Sequence, residues 1–172
     1  MNKIKGLKIF KTKHFYDKRG YFVEIFKKKL LKKNLIFGCI SHSKKNVLRG
    51  IHLQLNNPQG KFLTVIEGKI FDVVIDLRKN SKTFGEYFSI ILDSKNKNSI
   101  YIPEGCGHGF LCLKKSTVYY FCTQYRDKKS EIGIKWNDKS FNINWPVKKP
   151  ILSKKDKQNL DFNEYIKIIK LK

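Results

Sequence analysis

From residue 35 onward, short apolar runs recur every eight to twelve residues and are separated by turn signals such as Asn57-Pro58 and Glu104-Gly105. Many short strands joined at regular intervals are typical of an all-β sandwich or barrel. Neither a GxGxxG nor a GxxxxGK pattern occurs, so a nucleotide-binding βαβ unit is unsupported. The predicted strands are Phe37–Ser43, Val47–Leu55, Lys61–Ile66, Ile70–Leu77, Tyr87–Leu92, Ser99–Pro103, Gly109–Leu113 and Thr117–Tyr125.

The N-terminal part of the chain predicts two further strands and a helix. Residues 3–10 alternate in the manner of a short strand, and Tyr21–Phe26 follows the turn Asp17-Lys-Arg-Gly20 as a second one. The lysine-rich segment Lys27–Asn34 predicts a short helix.

From Ser153 onward, the C-terminal tail shows a helical pattern instead of a strand pattern. Ser153 is suited to cap a helical turn through Asp156. Ile166 and Ile169 fit one face of a helix. We therefore expect one domain over residues 1–172. Its tail, residues 157–172, is expected to pack on the domain or to contact a second subunit.

The charge balance of the chain is strongly basic, with 37 Lys and Arg against 14 Asp and Glu, or +23. Such a charge is typical of proteins that bind nucleic acid or membrane surfaces. Here the lysines are scattered through every loop, arginines number only four, and alanine is absent. Because nucleic-acid surfaces favour the planar fork of arginine, we attribute the charge to codon bias and expect no nucleic-acid partner.

The sequence also indicates the compartment in which the protein works. No apolar run approaches the ~20 residues of a membrane span, and Met1-Asn-Lys-Ile-Lys-Gly6 does not resemble a signal peptide. The four cysteines form no CxxC pair, whereas small secreted domains usually carry closely spaced disulfides. We expect a soluble, reduced, cytoplasmic protein with no membrane partner.

Two stretches, Val47–Gln54 and Pro103–His108, resemble the two signature motifs of cupin barrels. Metal-binding cupins place a His-x-His pair and a carboxylate in the first stretch and another histidine in the second. Here the pair reads His52-x-Gln54, and no glutamate follows before Glu67. Because divalent transition metals usually take three or more His, Asp, Glu or Cys ligands, we expect no metal.

The order of further motifs is similar to that of the dTDP-4-dehydrorhamnose 3,5-epimerase family, the metal-free cupins of deoxysugar biosynthesis. The resemblance covers roughly residues 7 to 156. It implies an all-β cupin-type jelly-roll barrel with short peripheral helices, a homodimer, no cofactor, and a nucleotide-linked 4-keto-6-deoxysugar as substrate. The motifs are Asp17–Glu24, Asn46–Gln54, Gln59–Lys61, Gly68–Arg78, Ser81–Gly85, Ile102–Phe110, Tyr119-Tyr120, Trp136–Asp138, Trp145-Pro146 and Leu152–Asp156.

Epimerisation beside a ketone needs a placed base, a stabilised enolate oxygen and an acid on the opposite face of the sugar ring. His52 is the natural base because imidazole titrates near neutral pH. The resemblance implies Asp156 as its carboxylate partner, Tyr120 as the general acid and Lys61 beside the C4 oxygen. Period-two alternation places Gly50, His52 and Gln54 on one strand face, where Gly50 would leave room for a ligand.

The resemblance also assigns residues to substrate binding. An aspartate within an apolar strand is costly unless it is paired, and Asp72 is expected to support His108 or Lys61. Seven residues match family positions that contact the nucleotide-sugar or lie within the family motifs. These are Arg19, Glu24, Arg49, Gln54, His108, Glu131 and Lys155.

The chain departs from the family pattern at three binding positions. Phe37 and Cys39 stand where the family usually carries Gln and Asn, and Arg126, next to Tyr125, stands where it usually carries an aromatic against the thymine ring. An arginine plane can stack on a base, so binding need not be lost. We expect all four side chains to line the substrate site.

Four functions are therefore compared. The leading one is 3,5-epimerisation of dTDP-4-dehydro-6-deoxyglucose on the route to dTDP-rhamnose. The others are epimerisation at C3 or C5 alone on a related substrate, sugar binding without turnover, and a metal-dependent oxygenase. The presence of His52, Asp156 and Tyr120 together disfavours a mere binder, and the missing metal ligands disfavour the oxygenase.

Overall fold

Twelve strands dominate the computed structural model, which describes residues 4–170 of the chain. The beginning of the strand predicted for residues 3–10, the first residues of the N-terminal segment and the last two residues of the tail lie outside that range. The strands are β1 (Lys8–Phe10), β2 (His14–Asp17), β3 (Gly20–Val23), β4 (Phe37–Ser43), β5 (Leu48–Gln54), β6 (Lys61–Glu67), β7 (Lys69–Asp76), β8 (Tyr87–Asp93), β9 (Ser99–Ile102), β10 (Cys106–Cys112), β11 (Ser116–Cys122) and β12 (Glu131–Gly133).

The strands form two five-stranded sheets and a separate hairpin. Sheet 1 has the order β1-β9-β6-β11-β4, sheet 2 has the order β12-β5-β10-β7-β8, and β2 pairs with β3. Every pairing between these strands is antiparallel. This architecture confirms the all-β, cupin-type jelly roll.

The central strands of sheet 2, β7 and β10, are buried on both faces, which accounts for their long apolar runs. The inner face of sheet 2 packs against sheet 1 in a cluster that includes Leu63, Val65, Val74 and Phe110. Its outer face packs under the C-terminal segment in a second cluster. That cluster includes Leu48, Ile51, Val73, Ile75, Leu111, Phe141, Trp145 and Tyr165. Burial of both faces leaves polar side chains on these strands only where they are paired.

The alternation expected along β5 is interrupted at Gly50. The pairing of β10 with β5 shifts register between His108 and Phe110, and Gly50 has φ of +114°. A Cβ at Gly50 would lie 2.6 Å from both Gly109 Cα and His108 O. The prediction that Gly50 leaves room for a ligand is therefore wrong, because the backbone of β10 occupies that space.

Several strands and one helix end at residues other than those predicted. The strand expected at Tyr21–Phe26 ends at Val23, and the one expected to reach Tyr125 ends at Cys122. The helix expected over Lys27–Asn34 is a four-residue α1, Lys28–Leu31. Strands β2 and β12 were not predicted from the sequence.

The C-terminal segment is tied to β5 and thereby brings Asp156 to the barrel. Leu48 N–H donates to Ile151 O at 3.0 Å, and the Asn159 amide donates to Gly50 O at 3.2 Å. Between these contacts lies a 3₁₀ turn, Asp156–Gln158, which is preceded by a hydrogen bond from Asp156 N–H to Ser153 Oγ at 3.0 Å. Ser153 thus binds the first residue of the turn, whereas the N-cap position itself is Lys155.

The final helix, α2 (Phe162–Lys170), packs on the outer face of sheet 2. Tyr165 is buried, and its hydroxyl donates to Leu77 O at 2.7 Å. Within the described part of the chain, neither α2 nor another helix has the length and apolar composition needed to cross a bilayer.

Candidate active site

A cavity of about 350 Å³ lies between the two sheets and is lined by side chains from both. It contains eleven of the predicted site residues, which arrive from separate parts of the sequence. These are Phe37, Cys39, Arg49, His52, Lys61, His108, Tyr120, Arg126, Glu131, Lys155 and Asp156. The structure thus brings together the predicted catalytic group and most of the predicted binding group.

His52 of sheet 2 and Asp156 of the 3₁₀ turn form a pair, with 2.6 Å between His52 Nε2 and Asp156 Oδ1. Burial alone raises the pKa of Asp156, but the hydrogen bonds from His52 and Ser153 outweigh burial, so this pKa is lowered. An ionised carboxylate only accepts hydrogen bonds, so His52 Nε2 carries the hydrogen. Nδ1 is then the basic nitrogen of neutral His52, and it has no hydrogen-bond partner among residues 4–170.

Tyr120 lies on β11 of sheet 1 and points into the cavity from the side opposite His52. Its hydroxyl is 3.2 Å from Ser41 Oγ, and its ring packs near Phe110 with centroids 6.4 Å apart. Burial strongly raises the pKa of Tyr120. The phenol therefore keeps its proton at neutral pH and can donate it.

Lys61 begins β6, beside Tyr120's strand in the same sheet. Burial lowers the pKa of the Lys61 ammonium, and the neighbouring Cys122 and Glu131 oppose that effect. Its Nζ makes no ion pair or hydrogen bond with any residue in the described range. The cation thus faces the cavity with its donors available.

His108 lies directly opposite His52 in the pairing of β10 with β5. Its Nε2 is 2.7 Å from Asp72 Oδ2, and both side chains are buried. Asp72 Oδ1 is buried without a hydrogen-bond partner among the described residues. Asp72 therefore binds His108, which is one of the two partners expected for Asp72.

Glu131 forms ion pairs with two cationic side chains of the cavity, Arg126 and Lys155. Arg126 donates to Glu131 through Nε at 2.7 Å and through Nη2 at 3.0 Å, and Lys155 Nζ donates to Glu131 Oε1. The hydrogen bond from Arg126 contributes most to lowering the pKa of Glu131, to about 2. One edge of the Arg126 guanidinium is therefore bound by the Glu131 carboxylate.

Arg49, Phe37 and Cys39 line the remaining wall. Arg49 donates through Nε to Ser43 Oγ at 2.8 Å and through Nη2 to His42 O at 3.2 Å. Phe37 and Cys39 alternate with exposed residues along β4, so their side chains share the cavity face.

Two predicted binding residues adjoin the cavity without lining it. The Gln54 amide donates to Asn57 O and Tyr125 O, and its Oε1 accepts from Asp127 N–H at 3.0 Å. Gln54 is therefore a buried residue that links two loops and does not line the cavity, because its amide is hydrogen-bonded to backbone groups of those loops. Tyr125 is exposed, with its ring 6.1 Å from that of Phe37.

Arg19 and Glu24 are not brought to this cavity by the fold of a single chain. Arg19 lies at the tip of the β2–β3 hairpin, exposed, and is paired with Asp17 at 2.6 Å. Glu24 follows β3, is paired with Lys27, and lines a different cavity of about 280 Å³ beside Phe10 and Leu30.

Five lining residues were not predicted as site residues: Ser41, Gln59, Phe110, Cys122 and Ser153. For Ser41 and Cys122 a sequence signal exists. Ser41 shares the alternation of Phe37 and Cys39, and Cys122 shares that of Tyr120. Gln59 and Ser153 lie within recognised motifs.

No group of three or more His, Cys, Asp or Glu side chains converges to hold a metal ion among residues 4–170. The two histidines of the cavity each contact a single carboxylate instead. The expectation of a metal-free site stays a prediction.

Comparison with known proteins shows extensive similarity. The family model described as dTDP-4-dehydrorhamnose 3,5-epimerase matches residues 1–164. The chain is 43% identical over 156 residues to the dTDP-4-dehydrorhamnose 3,5-epimerase of Shigella flexneri, covering 86% of each chain. It is 40% identical over 161 residues to that of Methanothermobacter thermautotrophicus, covering 88% of this chain and 87% of the relative.

Solved structures agree with the sequence relatives. The dTDP-6-deoxy-D-glucose-3,5-epimerase of Legionella pneumophila, in complex with dTDP-4-keto-L-rhamnose, matches with a TM-score of 0.90 and 37% identity. That comparison covers 94% of this chain and 90% of the other.

Proposed function

Since the chain belongs to the dTDP-4-dehydrorhamnose 3,5-epimerase family, we propose that it converts dTDP-4-dehydro-6-deoxyglucose to dTDP-4-dehydrorhamnose. One observation carries the proposal. A candidate base, His52, and a candidate acid, Tyr120, face one cavity from different sheets. This is the arrangement that inversion at carbon requires, because the proton must leave one face of the ring and return to the other.

The first step is removal of a proton from carbon next to the C4 ketone. His52 Nδ1 accepts it, since Nε2–H is held by Asp156 at 2.6 Å. The imidazolium that forms is stabilised by the ionised Asp156. Asp156 is therefore a positioning residue that fixes the tautomer and the ring orientation of His52.

The negative charge that develops on the C4 oxygen needs a fixed cation. Lys61 is the cation of the cavity whose donors are not engaged by another side chain or by backbone in the described range. An ammonium aimed at a developing enolate stabilises it more than the neutral ketone. Lys61 thereby lowers the barrier to proton removal.

Return of the proton from the opposite face belongs to Tyr120. Its phenol is protonated at neutral pH because burial raises its pKa. Ser41, 3.2 Å from the hydroxyl, orients it and can share its hydrogen bond while the proton is transferred. The same two groups act at C3 and at C5, since both carbons flank the ketone.

The mouth of the cavity suits a nucleoside diphosphate. Arg49, Arg126 and Lys155 share the lining with the single carboxylate of Glu131, which leaves a net positive charge, and guanidinium groups bind phosphate oxygens. The half-buried ring of Phe37 and the exposed ring of Tyr125 lie 6.1 Å apart and offer a surface for the base.

We further propose that the protein works as a homodimer. The β2–β3 hairpin exposes Phe15, Tyr16, Tyr21 and Phe22, which are apolar rings that a second copy would cover. Arg19 and Glu24 belong to the same region and do not line the cavity of their own chain. Within a dimer, these two residues would reach the nucleotide-sugar held by the partner subunit.

The proposed reaction needs no cofactor, and the four free cysteines suit a reducing, cytoplasmic compartment. We propose no nucleic-acid partner, because the lysines are dispersed through the chain.

Proton NMR of the protein with dTDP-4-dehydro-6-deoxyglucose in heavy water tests the proposal. We expect solvent deuterium at both C3 and C5, together with inverted product. Exchange at one carbon would restrict the activity to a monoepimerase. Binding without exchange at either carbon would contradict an epimerase on this substrate.

A further inference from the structure

Two cysteines are neighbours on the wall that carries the candidate acid. In the pairing of β4 with β11, Cys39 lies opposite Tyr120, and Cys122 is two residues further along the same strand face. Both side chains line the cavity from adjacent strands, with Cys39 partly exposed and Cys122 buried. The pair therefore faces the cavity that also contains Lys61 and Arg126, and Cys39 is one of the positions at which this chain departs from the family pattern.

The electrostatic surroundings of Cys39 favour its thiolate. The interaction with Cys122 contributes most, and Lys61 and Arg126 add positive charge, so the pKa of Cys39 is lowered despite burial, while the same interaction raises the pKa of Cys122. The remaining two cysteines behave oppositely. Burial raises the pKa of Cys106 to about 12 and also raises that of Cys112.

We propose that Cys39 and Cys122 form a modification site for hydroperoxides within the catalytic cavity. The Cys39 thiolate attacks one peroxide oxygen, the O–O bond breaks, and hydroxide leaves, which produces a sulfenic acid. The Cys122 sulfur then attacks Cys39 Sγ and displaces hydroxide, which takes the Cys122 proton to become water. Two thiols and one hydrogen peroxide thus become one disulfide and two waters.

The modification would act directly on the proposed chemistry. Cys39 on β4 lies opposite Tyr120 of β11, and Cys122 of β11 lies opposite Lys61 on β6. Because Cys39 and Cys122 are diagonal positions on two paired strands, joining their sulfurs shifts β4 locally against β11 beside Tyr120 and removes the thiols beside the Lys61 ammonium. Loss of turnover on oxidation rests on the proposed function, whereas the chemistry of the thiols does not.

The test treats the full-length native protein with hydrogen peroxide at neutral pH and maps its thiols by peptide mass spectrometry. We expect a Cys39–Cys122 disulfide, reversed by dithiothreitol, while Cys106 and Cys112 stay reduced. With iodoacetamide and no peroxide, Cys39 should react at least about tenfold faster than Cys106 or Cys112. Equal reactivity of all four cysteines, or modification only after unfolding in urea, would overturn the proposal.

Two variants separate the roles of the pair. In Cys122→Ala the sulfenic acid of Cys39 has no resolving thiol, so a dimedone adduct should accumulate at Cys39. The matched control is Cys112→Ala, a buried cysteine on sheet 2, which should retain the Cys39–Cys122 disulfide. No adduct in folded Cys122→Ala would refute Cys39 as the attacking sulfur.

Added thymidine diphosphate distinguishes this inference from the proposed function. If the nucleotide occupies the cavity, it should slow alkylation of Cys39. Selective oxidation of the pair without such protection would support the thiol site and would contradict nucleotide binding beside it.

Discussion

Replacing Tyr120 by Phe should separate the two proton transfers. The substitution deletes one hydroxyl, whose partner is Ser41 at 3.2 Å, and leaves the ring against Phe110. Losing such a hydrogen bond costs on the order of 1 kcal/mol of stability, so the variant should fold and bind substrate nearly as the wild type does. Loss of a general acid should reduce formation of inverted product by about 10²- to 10⁴-fold.

Removal of the proton should survive in this variant, because His52, Asp156 and Lys61 are untouched. The enolate can then take deuterium from the His52 side, which retains configuration. Both quantities are measured in heavy water at saturating substrate, with exchange followed by NMR and inversion by product analysis. The ratio of exchange to inversion should rise by at least about tenfold.

Tyr119→Phe is the matched control, since Tyr119 is the adjacent residue on β11 and does not line the cavity. It should leave the ratio of exchange to inversion unchanged. Tyr120 is not the acid if Tyr120→Phe lowers exchange and inversion by the same factor, or lowers neither. The role of acid would then pass to another group.

Four further outcomes are expected. His52→Ala and Asp156→Ala should each lower turnover, and the double variant should be little worse than His52→Ala, because the pair acts as a unit; multiplicative losses would contradict the pairing. Lys61→Met should slow exchange more than it weakens nucleotide binding, as titration calorimetry can show, whereas weak binding with normal turnover would make Lys61 a phosphate ligand. Since the pKa of Glu131 is lowered from 4.5 to about 2, its contribution to folding is complete above pH 4.5 and is lost as the pH falls towards 2. In urea titrations Glu131→Gln should be roughly 2 kcal/mol less stable at pH 7 and match the wild type near pH 2; a constant difference would refute the sign. In a filter assay at physiological salt, nucleic acid should bind only weakly and lose binding steeply with added salt, and salt-resistant binding would contradict codon bias as the origin of the charge.

The strand pattern could be predicted because side-chain alternation and turn residues are local properties. The wall formed by Phe37, Cys39 and Ser41 follows directly from that alternation along β4. The position of Asp156 beside His52 could not be obtained in this way. It depends on a contact between residues 104 positions apart, and only the family resemblance pointed to it.

Other features escaped prediction for identifiable physical reasons. The face assignment of Gly50 assumed unbroken alternation, whereas the register shift beyond His52 re-aims the strand there. Gln54 keeps its register with His52, but its amide is bound by loop backbone. Strand β12 has three residues, which is too few for a period to be measured. The separation of Arg19 from the cavity depends on where the β2–β3 hairpin projects, and no local pattern encodes that direction.

The placement of His52 and Tyr120 on different sheets makes the apolar layer between the sheets a determinant of reaction geometry. Facing sheets pack about 10 Å apart, and side chains such as Val65 and Val74 fill that gap. Displacing a reacting group by ~1 Å can cost about a hundredfold in rate. Substitutions in this layer would therefore alter the gap that the sugar ring must span, even though they touch neither group. Packing stability and the geometry of the reaction would therefore depend on the same core residues.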